Sequence, residues 1–343
     1  MEKLSSNKQN INSLFSICLI VLFVFLISST FSCSPQKDTD VMSTETTVEA
    51  QEQDTTTSED SQNIEDASTS QSQTSIEEVA LDIEEVKAQF EILRTEESDY
   101  LKIFQFIDEN IEIADTQFAD EMVDFAMQFS ENELFPFQDK FADPQVQQII
   151  WADFNGSTDL EILKNSENEL ISMLALETLQ RKYKLEGSEG YIAPIVDYEA
   201  YKAYDLYISD EMKAFIGIMA LESEKTSVSD AAIVIPLDEF VDRIMMLYDF
   251  EETFPGFIRI YYIVNMLNGK LWIYMGGIDN TPVFNFSDNS IIQERLDDFK
   301  ANVVKYEGTR FAEKLNEYLE ILENENYKRT QEVADYLDNL TFY

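Results

Sequence analysis

The sequence predicts an all-α fold, and three observations favour it. The 343 residues include only 9 glycines and 7 prolines, whereas sandwiches, barrels and doubly wound sheets need many turn residues. From Val79 onward, large apolar residues recur at steps of three and four, which is the period of an amphipathic α-helix. One helical pattern also occurs twice, first around Thr116 and again around Thr309. We therefore predict an α-helical domain over residues 79–343.

The periodic segments predict a series of helices along this domain. The apolar positions that carry the period are Ile83, Val86, Phe90 and Leu93, then Phe104, Ile107 and Ile111, then Met122, Phe125 and Phe129. Ser130–Glu133 and Ser166–Glu169 have the capping-box pattern and predict helix starts, and further starts are predicted at Ser209 and Asp238. Residues 231–235 (AAIVI) fit either a short strand or a buried extended connector.

The repeated pattern predicts stacked helix pairs. Residues 116–122 (TQFADEM) recur as residues 309–315 (TRFAEKL), and each copy reads as a helix, a tight turn ending in a Thr cap, and a second helix with a small Ala after its first aromatic residue. A weaker third copy runs from Ile244 to Leu267. Stacked helix pairs that approach closely at a small residue resemble tetratricopeptide-like repeats, which implies an irregular solenoid or bundle. The Trp, Leu-Gly and Pro positions of that family are missing.

The N-terminal residues have the parts of a secretory signal peptide. Lys3 and Lys8 precede an apolar run over residues 14–27, and small polar residues follow it. The run is shorter than the roughly 20 residues that span a membrane. Residues 30–33 (TFSC) resemble the signal of bacterial lipoproteins, which implies that residues 1–32 are removed and that Cys33 carries a diacylglyceryl group. Thr30 departs from that family, in which Leu is usual at this position.

Residues 33–78 are predicted to form the lipidated cysteine and a disordered, acidic linker. Residues 34–78 are mostly Ser, Thr, Gln, Glu and Asp, with twelve acidic residues and one basic residue, Lys37. Such a segment has too little apolar surface to fold. As a flexible coil of roughly 45 residues it would hold the domain about 35–40 Å from the anchor. Signal, linker and Phe/Tyr/Asn-rich helices together are similar to uncharacterised lipoproteins of low-GC Gram-positive bacteria, a likeness that implies no function.

Composition excludes several classes of function. The formal net charge is −43, which argues against nucleic acid as a partner and against a basic patch that binds anionic lipid heads. The sequence has no histidine, so Ser–His–Asp triads and His-ligated metal sites are ruled out. Its two cysteines, Cys18 and Cys33, lie in the signal and at the lipid site, so no disulfide is expected in the domain.

Two segments with candidate binding residues have simpler interpretations as structure. Asp153, Asn155 and Asp159 place oxygen ligands around a turn glycine, which is the beginning of a calcium loop, but the closing Glu is missing and a turn into a helix explains them as well. Tyr198, Tyr201, Tyr204 and Tyr207 suggest a sugar-stacking surface. On an α-helix, steps of three would spread these rings over half the circumference, so core packing is favoured.

Two other patterns are less specific. Paired carboxylates could hydrolyse glycosides without histidine, but 67 acidic residues make chance pairs common and no pair can be chosen. Residues 276–282 (GGIDNTP) predict a loop between helices. A plain structural connection is the favoured interpretation of this loop, and a functional role is the less favoured one.

The sequence therefore favours a lipid-anchored protein on the extracytoplasmic side of the cell membrane. We expect its helical domain to be a non-enzymatic interaction or scaffolding module with a protein partner in the cell envelope, without a cofactor. Two alternatives stay open: a solute-binding lipoprotein of a transporter, and a histidine-free glycan hydrolase that uses carboxylates. The sequence does not indicate an oligomeric state.

Overall fold

The computed structural model describes residues 71–96 and 98–340, with side chains from Ile83 onward. The predicted signal peptide, Cys33 and most of the predicted linker lie outside the described residues. The described part is mostly helical, as predicted, and from Glu78 onward it forms one compact unit. Its α-helices are α1 (Gln71–Glu96), α2 (Tyr100–Asn110), α3 (Thr116–Phe141), α4 (Pro144–Phe154), α5 (Leu160–Lys164), α6 (Glu169–Gln180), α7 (Asp210–Glu224), α8 (Leu237–Thr253), α9 (Ile260–Gly276), α10 (Gln293–Lys305), α11 (Arg310–Asn324) and α12 (Gln331–Asp338).

Helix α1 begins at Gln71, eight positions before the predicted start at Val79. The last residues assigned to the linker are therefore helical in the structure. Within the described residues, no helix is both long and apolar enough to cross a membrane.

In the described part of the chain, three antiparallel hairpins and two 3₁₀ helices (Ile111–Ile113 and Tyr198–Tyr204) interrupt the helices. The hairpins are β1–β2 (Tyr183–Ser188 and Tyr191–Val196), β3–β4 (Val228–Ser229 and Ala232–Ile233) and β5–β6 (Gly277–Ile278 and Thr281–Pro282).

The β1–β2 hairpin was not predicted. Its register pairs Tyr183 with Val196 and Ser188 with Tyr191, and the two turn residues Glu189 and Gly190 both have positive φ. Such two-residue turns match the twist of the strands that they join. The signal in the sequence is a Glu-Gly pair between the alternating segment 183–188 (YKLEGS) and the apolar segment 191–196 (YIAPIV).

Side-chain caps explain where several helices begin. The Ser209 Oγ accepts a hydrogen bond from the Met212 N–H at 3.2 Å, as predicted for α7. Asn168, not Ser166, caps α6 and accepts from the Leu170 N–H at 3.1 Å. The predicted start at Ser130 is wrong, because Ser130 lies inside α3 and its hydroxyl is buried against Tyr201. A capping-box pattern alone does not distinguish a helix start from a helix interior in which the serine contacts another element.

The two copies of the repeat are α2–α3 and α10–α11, and the third, weaker copy is the pair α8–α9. Thr309 caps α11, as predicted. In the first copy the predicted Thr cap is wrong: Asp115 caps α3, and Thr116 is the first helical residue. Ala119 and Ala312 are both buried, which agrees with a close approach of helices at these positions.

In both copies the preceding helix inserts an aromatic side chain into the pair. We call Phe90 of α1 and Tyr274 of α9 the wedge residues. The Phe90 ring lies 6.1 Å from Phe106 and 5.5 Å from Phe118, between ring centroids. The Tyr274 ring lies 5.2 Å from Phe299 and 6.0 Å from Phe311, which are the repeat equivalents. The repeated body is thus three helices: α1–α3 form the first unit and α9–α11 form the second unit.

Phe90→Ala should destabilise the domain by about 3–5 kcal/mol, because it removes a fully buried ring that three other rings contact. Urea unfolding followed by circular dichroism measures the change. Ile92→Ala is the matched control on the same helix. Its side chain is 59% exposed, so its effect should stay within about 0.5 kcal/mol. Equal effects of the two substitutions would contradict the role of the wedge residue.

Candidate functional site

Two of the three calcium candidates, Asn155 and Asp159, are helix caps, and Asp153 lies in the last turn of α4. Asn155 ends α4 in the left-handed conformation, and the Asp159 carboxylate caps α5 by accepting from the Glu161 N–H at 2.9 Å. Between them, Gly156 has a φ of +70° and lies under the Trp151 ring, so a Cβ there would lie 2.5 Å from that ring. Among residues 71–96 and 98–340, no cluster of three or more Asp, Glu, His or Cys could hold a metal ion.

The four tyrosines do not lie on an α-helix, so the predicted spread of their rings around a helix is wrong. Tyr198, Tyr201 and Tyr204 lie on a 3₁₀ helix, which has three residues per turn and therefore aligns every third side chain on one face. All three are buried, and Tyr207 just beyond the helix is half-buried. Core packing of these rings agrees with the favoured interpretation, although the helix type differs.

Each tyrosine hydroxyl reaches a partner on α2, on α3 or on the short 3₁₀ helix Ile111–Ile113 between them. Tyr198 donates to Glu131 at 2.9 Å, Tyr204 to Asp108 at 2.7 Å and Tyr207 to Glu112 at 3.1 Å. The Tyr201 and Ser130 hydroxyls are 2.7 Å apart. These rings therefore attach the 3₁₀ helix Tyr198–Tyr204 to the first unit and do not form a stacking surface for a sugar.

A buried ionic cluster lies where the 3₁₀ helix, α3 and the start of α9 meet. Arg259 donates from Nε to Asp124 Oδ1, from Nη1 to Glu131 Oε1 at 2.6 Å and from Nη2 to the Asp124 carbonyl at 3.0 Å. The carboxylates hold the pKa of Arg259 above its ordinary value against the opposing effect of burial. Asp124 and Glu131 are a carboxylate pair that sequence reasoning could not select. Both are committed to the same guanidinium, so neither is placed as a free acid or base.

A second cluster joins α7, α8 and α9. Glu222 Oε2 accepts from Lys270 Nζ at 3.0 Å and from Ser227 Oγ at 2.8 Å. Arg243 donates to the other Glu222 oxygen at 3.1 Å and to Glu239 at 2.8 Å. Sequence patterns did not indicate this cluster, because its members lie up to 48 residues apart in the chain.

The Ser227–Lys270 contact resembles a Ser–Lys nucleophile pair only in composition. A general base must be neutral and accept the serine proton, whereas Lys270 donates to the Ser227 oxygen and Ser227 donates to Glu222. Burial lowers the pKa of Lys270, and the adjacent Glu222 opposes that shift. Ser227 is 3% exposed, so a substrate cannot reach its hydroxyl in this arrangement. The geometry serves to connect three helices.

Residues 276–282 form the end of α9 and the β5–β6 hairpin, within the predicted connection between helices. The Asn280 N–H donates to the Ala231 carbonyl at 2.9 Å, and the Thr281 hydroxyl accepts from the Ile233 N–H at 2.9 Å. The β3–β4 and β5–β6 hairpins therefore support each other. Of the two readings for residues 231–235, a strand is found at Ala232–Ile233.

Exposed apolar side chains on α6 form the first surface available for binding. Leu170, Met173, Leu176 and Leu179 are 37–62% exposed, whereas Ile171, Leu174 and Ala175 are buried. A single helix that contacts the domain on one side needs only that buried face to be apolar. Because they lie at steps of three, these four exposed residues cover the outward half of the helix circumference, and we call them the α6 outer face.

A groove between α1 and α2 is the second surface. It has a volume of about 370 Å³ and is lined by Gln89, Ile92, Leu93, Glu96 and Phe106. Ile92 is 59% exposed at its edge. We call it the first-unit groove.

No protein-family model, no curated protein and no solved structure matches this chain. The residues and contacts of the chain itself therefore carry the functional proposal.

Tyr201→Phe should flatten the loss of stability at alkaline pH. Burial raises the pKa of the Tyr201 hydroxyl above its ordinary value of about 10. A folded-state pKa above the unfolded one gives a contribution that is complete below about pH 10 and is lost as the pH rises further, by up to about 1.4 kcal/mol per pH unit. Urea unfolding between pH 8 and pH 11 measures the slope, with Tyr261→Phe, a change at an exposed ring, as the control. The same slope in wild type and Tyr201→Phe would refute the assignment.

Proposed function

We propose that this protein is a lipid-anchored, extracytoplasmic protein whose helical domain is a non-enzymatic interaction or scaffolding module of the cell envelope. The observation that carries the proposal is the α6 outer face. Exposed apolar patches of this kind mark surfaces that another molecule covers. The α6 outer face presents its apolar side chains over the whole length of a 12-residue helix.

The surroundings of α6 indicate the charge of its partner. Near the C-terminal end of α6, Lys140 and Arg181 pair with Glu177, so the unpaired acidic charge lies at its N-terminal end. Glu167 and Glu169 are exposed at the start of α6, and neither forms an ion pair with any residue that the structure describes. Opposite charges across an interface direct encounter and exclude wrong partners. The surface thus suits a protein that presents apolar side chains with Lys or Arg placed to face the N-terminal end of α6.

The helix pairs support the same role. Stacked helix pairs of the tetratricopeptide-like kind form surfaces that bind peptides or proteins, an argument from architecture. The pairs α2–α3, α8–α9 and α10–α11 support assignment of the domain to an irregular helix-pair solenoid or bundle. That finer assignment is part of the proposal.

Met173→Gln/Leu176→Gln should abolish partner binding without unfolding the domain, because both side chains are about half exposed or more. Cross-linking on native membranes followed by affinity purification measures recovery of a stoichiometric protein partner. Leu206→Gln/Val304→Gln is the control, because it changes two side chains that are 89% and 74% exposed elsewhere. Wild-type protein that recovers no stoichiometric partner, or a double variant that recovers it fully, would count against the proposal.

Labelled palmitate should be incorporated into the wild-type chain and not into Cys33→Ala, because Cys33 is the proposed site of lipid attachment. Label in both proteins would refute the anchor at this residue.

A further inference from the structure

The outward side of α6 has the spacing of a helix that packs against another helix. Its middle line consists of four exposed side chains at steps of four, three and four residues: Glu169, Met173, Leu176 and Gln180. Such steps align side chains along one seam when two helices lie side by side. Leu170 and Leu179 add apolar surface on either side of this line. The α6 outer face therefore suits a helix of its partner.

The middle line is symmetric about the midpoint between Met173 and Leu176. When a second copy of α6 runs antiparallel across this point, Met173 of each copy packs beside Leu176 of the other. Glu169 of each copy then lies opposite Gln180 of the other. A twofold interface requires such self-complementarity, because the same surface serves both partners. The spacing along α6 meets this requirement.

The two ends of α6 carry opposite charge. At the N-terminal end, Glu167 and Glu169 are exposed and form no ion pair within the described part of the chain. At the C-terminal end, Lys140 and Arg181 share the carboxylate of Glu177, so these three residues together carry a net positive charge. An antiparallel second copy brings each acidic end to a positive end, and complementary charges fix the register of an interface.

Gln180 adds a hydrogen-bond donor at the positive end. Its Oε1 accepts from the Tyr100 hydroxyl at 3.3 Å, and its Nε2 donates to no residue between Ile83 and Leu340 that the structure describes. Because Glu169 of an antiparallel second copy lies opposite Gln180, the Glu169 carboxylate can accept from this amide. The twofold symmetry provides the contact twice in each dimer.

The net charge of −43 opposes association of two copies, but this repulsion acts mainly at long range. Interactions between exposed charges are largely screened beyond about 8–10 Å at physiological ionic strength. The short-range contacts along α6 therefore decide whether two copies associate.

We propose that the α6 outer face binds a second copy of this chain, with the two α6 helices antiparallel about a twofold axis that passes between Met173 and Leu176. The inference rests on the interaction role proposed above and names the partner of that surface. The basic side chains that face the N-terminal end of α6 are then Lys140 and Arg181 of the second copy.

Sedimentation equilibrium of the full chain, in mild detergent at about 0.15 M salt, measures self-association. The wild type should form a reversible dimer, and Met173→Gln/Leu176→Gln should weaken its association by at least about tenfold. The control Leu206→Gln/Val304→Gln, at side chains exposed elsewhere, should leave the association unchanged. Circular dichroism checks that both variants are folded. A monomeric wild type, or equal association of the two variants, would overturn the inference.

The variant Glu169→Cys/Gln180→Cys tests the antiparallel register. Its two cysteines lie about 16 Å apart along one helix, too far for a disulfide within one chain. In the proposed dimer each cysteine faces the other position of the second copy, so oxidation should give a disulfide-linked dimer on a non-reducing gel. The single variants Glu169→Cys and Gln180→Cys keep the natural cysteines and should give none, because equal positions of the two copies lie about 16 Å apart. Equal cross-linking of a single variant would contradict the register.

Cross-linking on native membranes separates this inference from the proposed function. A dimer that depends on Met173 and Leu176, without recovery of a second protein, would support the inference and count against a different envelope protein as the partner. A monomeric chain that binds a different protein through the same two residues would support the proposed function and overturn the inference.

Discussion

The buried guanidinium of Arg259 is the contact on which the arrangement of the two three-helix units depends. It joins Asp124 and Glu131 of α3, in the first unit, to the start of α9, in the second unit, and it lies 5.4 Å from the Phe215 ring centroid of α7. A buried charge is tolerated only where opposite charges and hydrogen bonds replace water, and removal of one partner strands the other. Every residue of this contact is therefore constrained by the others. Neither unit can shift against the other without exposing or unpairing a charge.

Within each unit, the packing of the helices is constrained by the shapes of their buried side chains. A wedge residue from the preceding helix fills the space between the paired helices, and a buried alanine allows the helices to approach. The packing differs at one side of the two units: α12 covers Tyr318 and Leu322 in the second unit, whereas their counterparts in the first unit, Phe125 and Phe129, are only half-buried. Two similar cores with different covers explain why equivalent aromatic side chains differ in burial, which no property of the individual residues accounts for.

The distribution of charge has one consequence for the surface. The chain has 24 basic residues against 67 acidic ones, and several of the cations are used inside the domain. Arg243 and Lys270 are buried at Glu222, and the Lys182 ammonium lies 5.0–5.8 Å from the ring centroids of Phe104, Tyr201 and Tyr204. The surface is therefore even richer in acidic groups than the composition indicates. An acidic surface of this kind favours encounter with basic proteins and repels acidic ones.

The sequence by itself determined the helical class, the helix pairs and the Thr309 and Ser209 caps, because helical period and capping depend on residues within one turn of each other. It also limited the chemistry, since a chain without histidine cannot form a Ser–His–Asp triad or a His-ligated metal site. Only the tertiary structure decided that Ser130 lies inside α3, that the tyrosines align on a 3₁₀ helix, and that Asp124 and Glu131 share Arg259. Those outcomes depend on contacts between residues 67 to 135 positions apart. A local sequence pattern does not indicate which distant side chain will contact a given residue. The α6 outer face and the first-unit groove belong to the same class, because an apolar residue in the sequence is expected to be buried until the packing of its neighbours leaves it exposed.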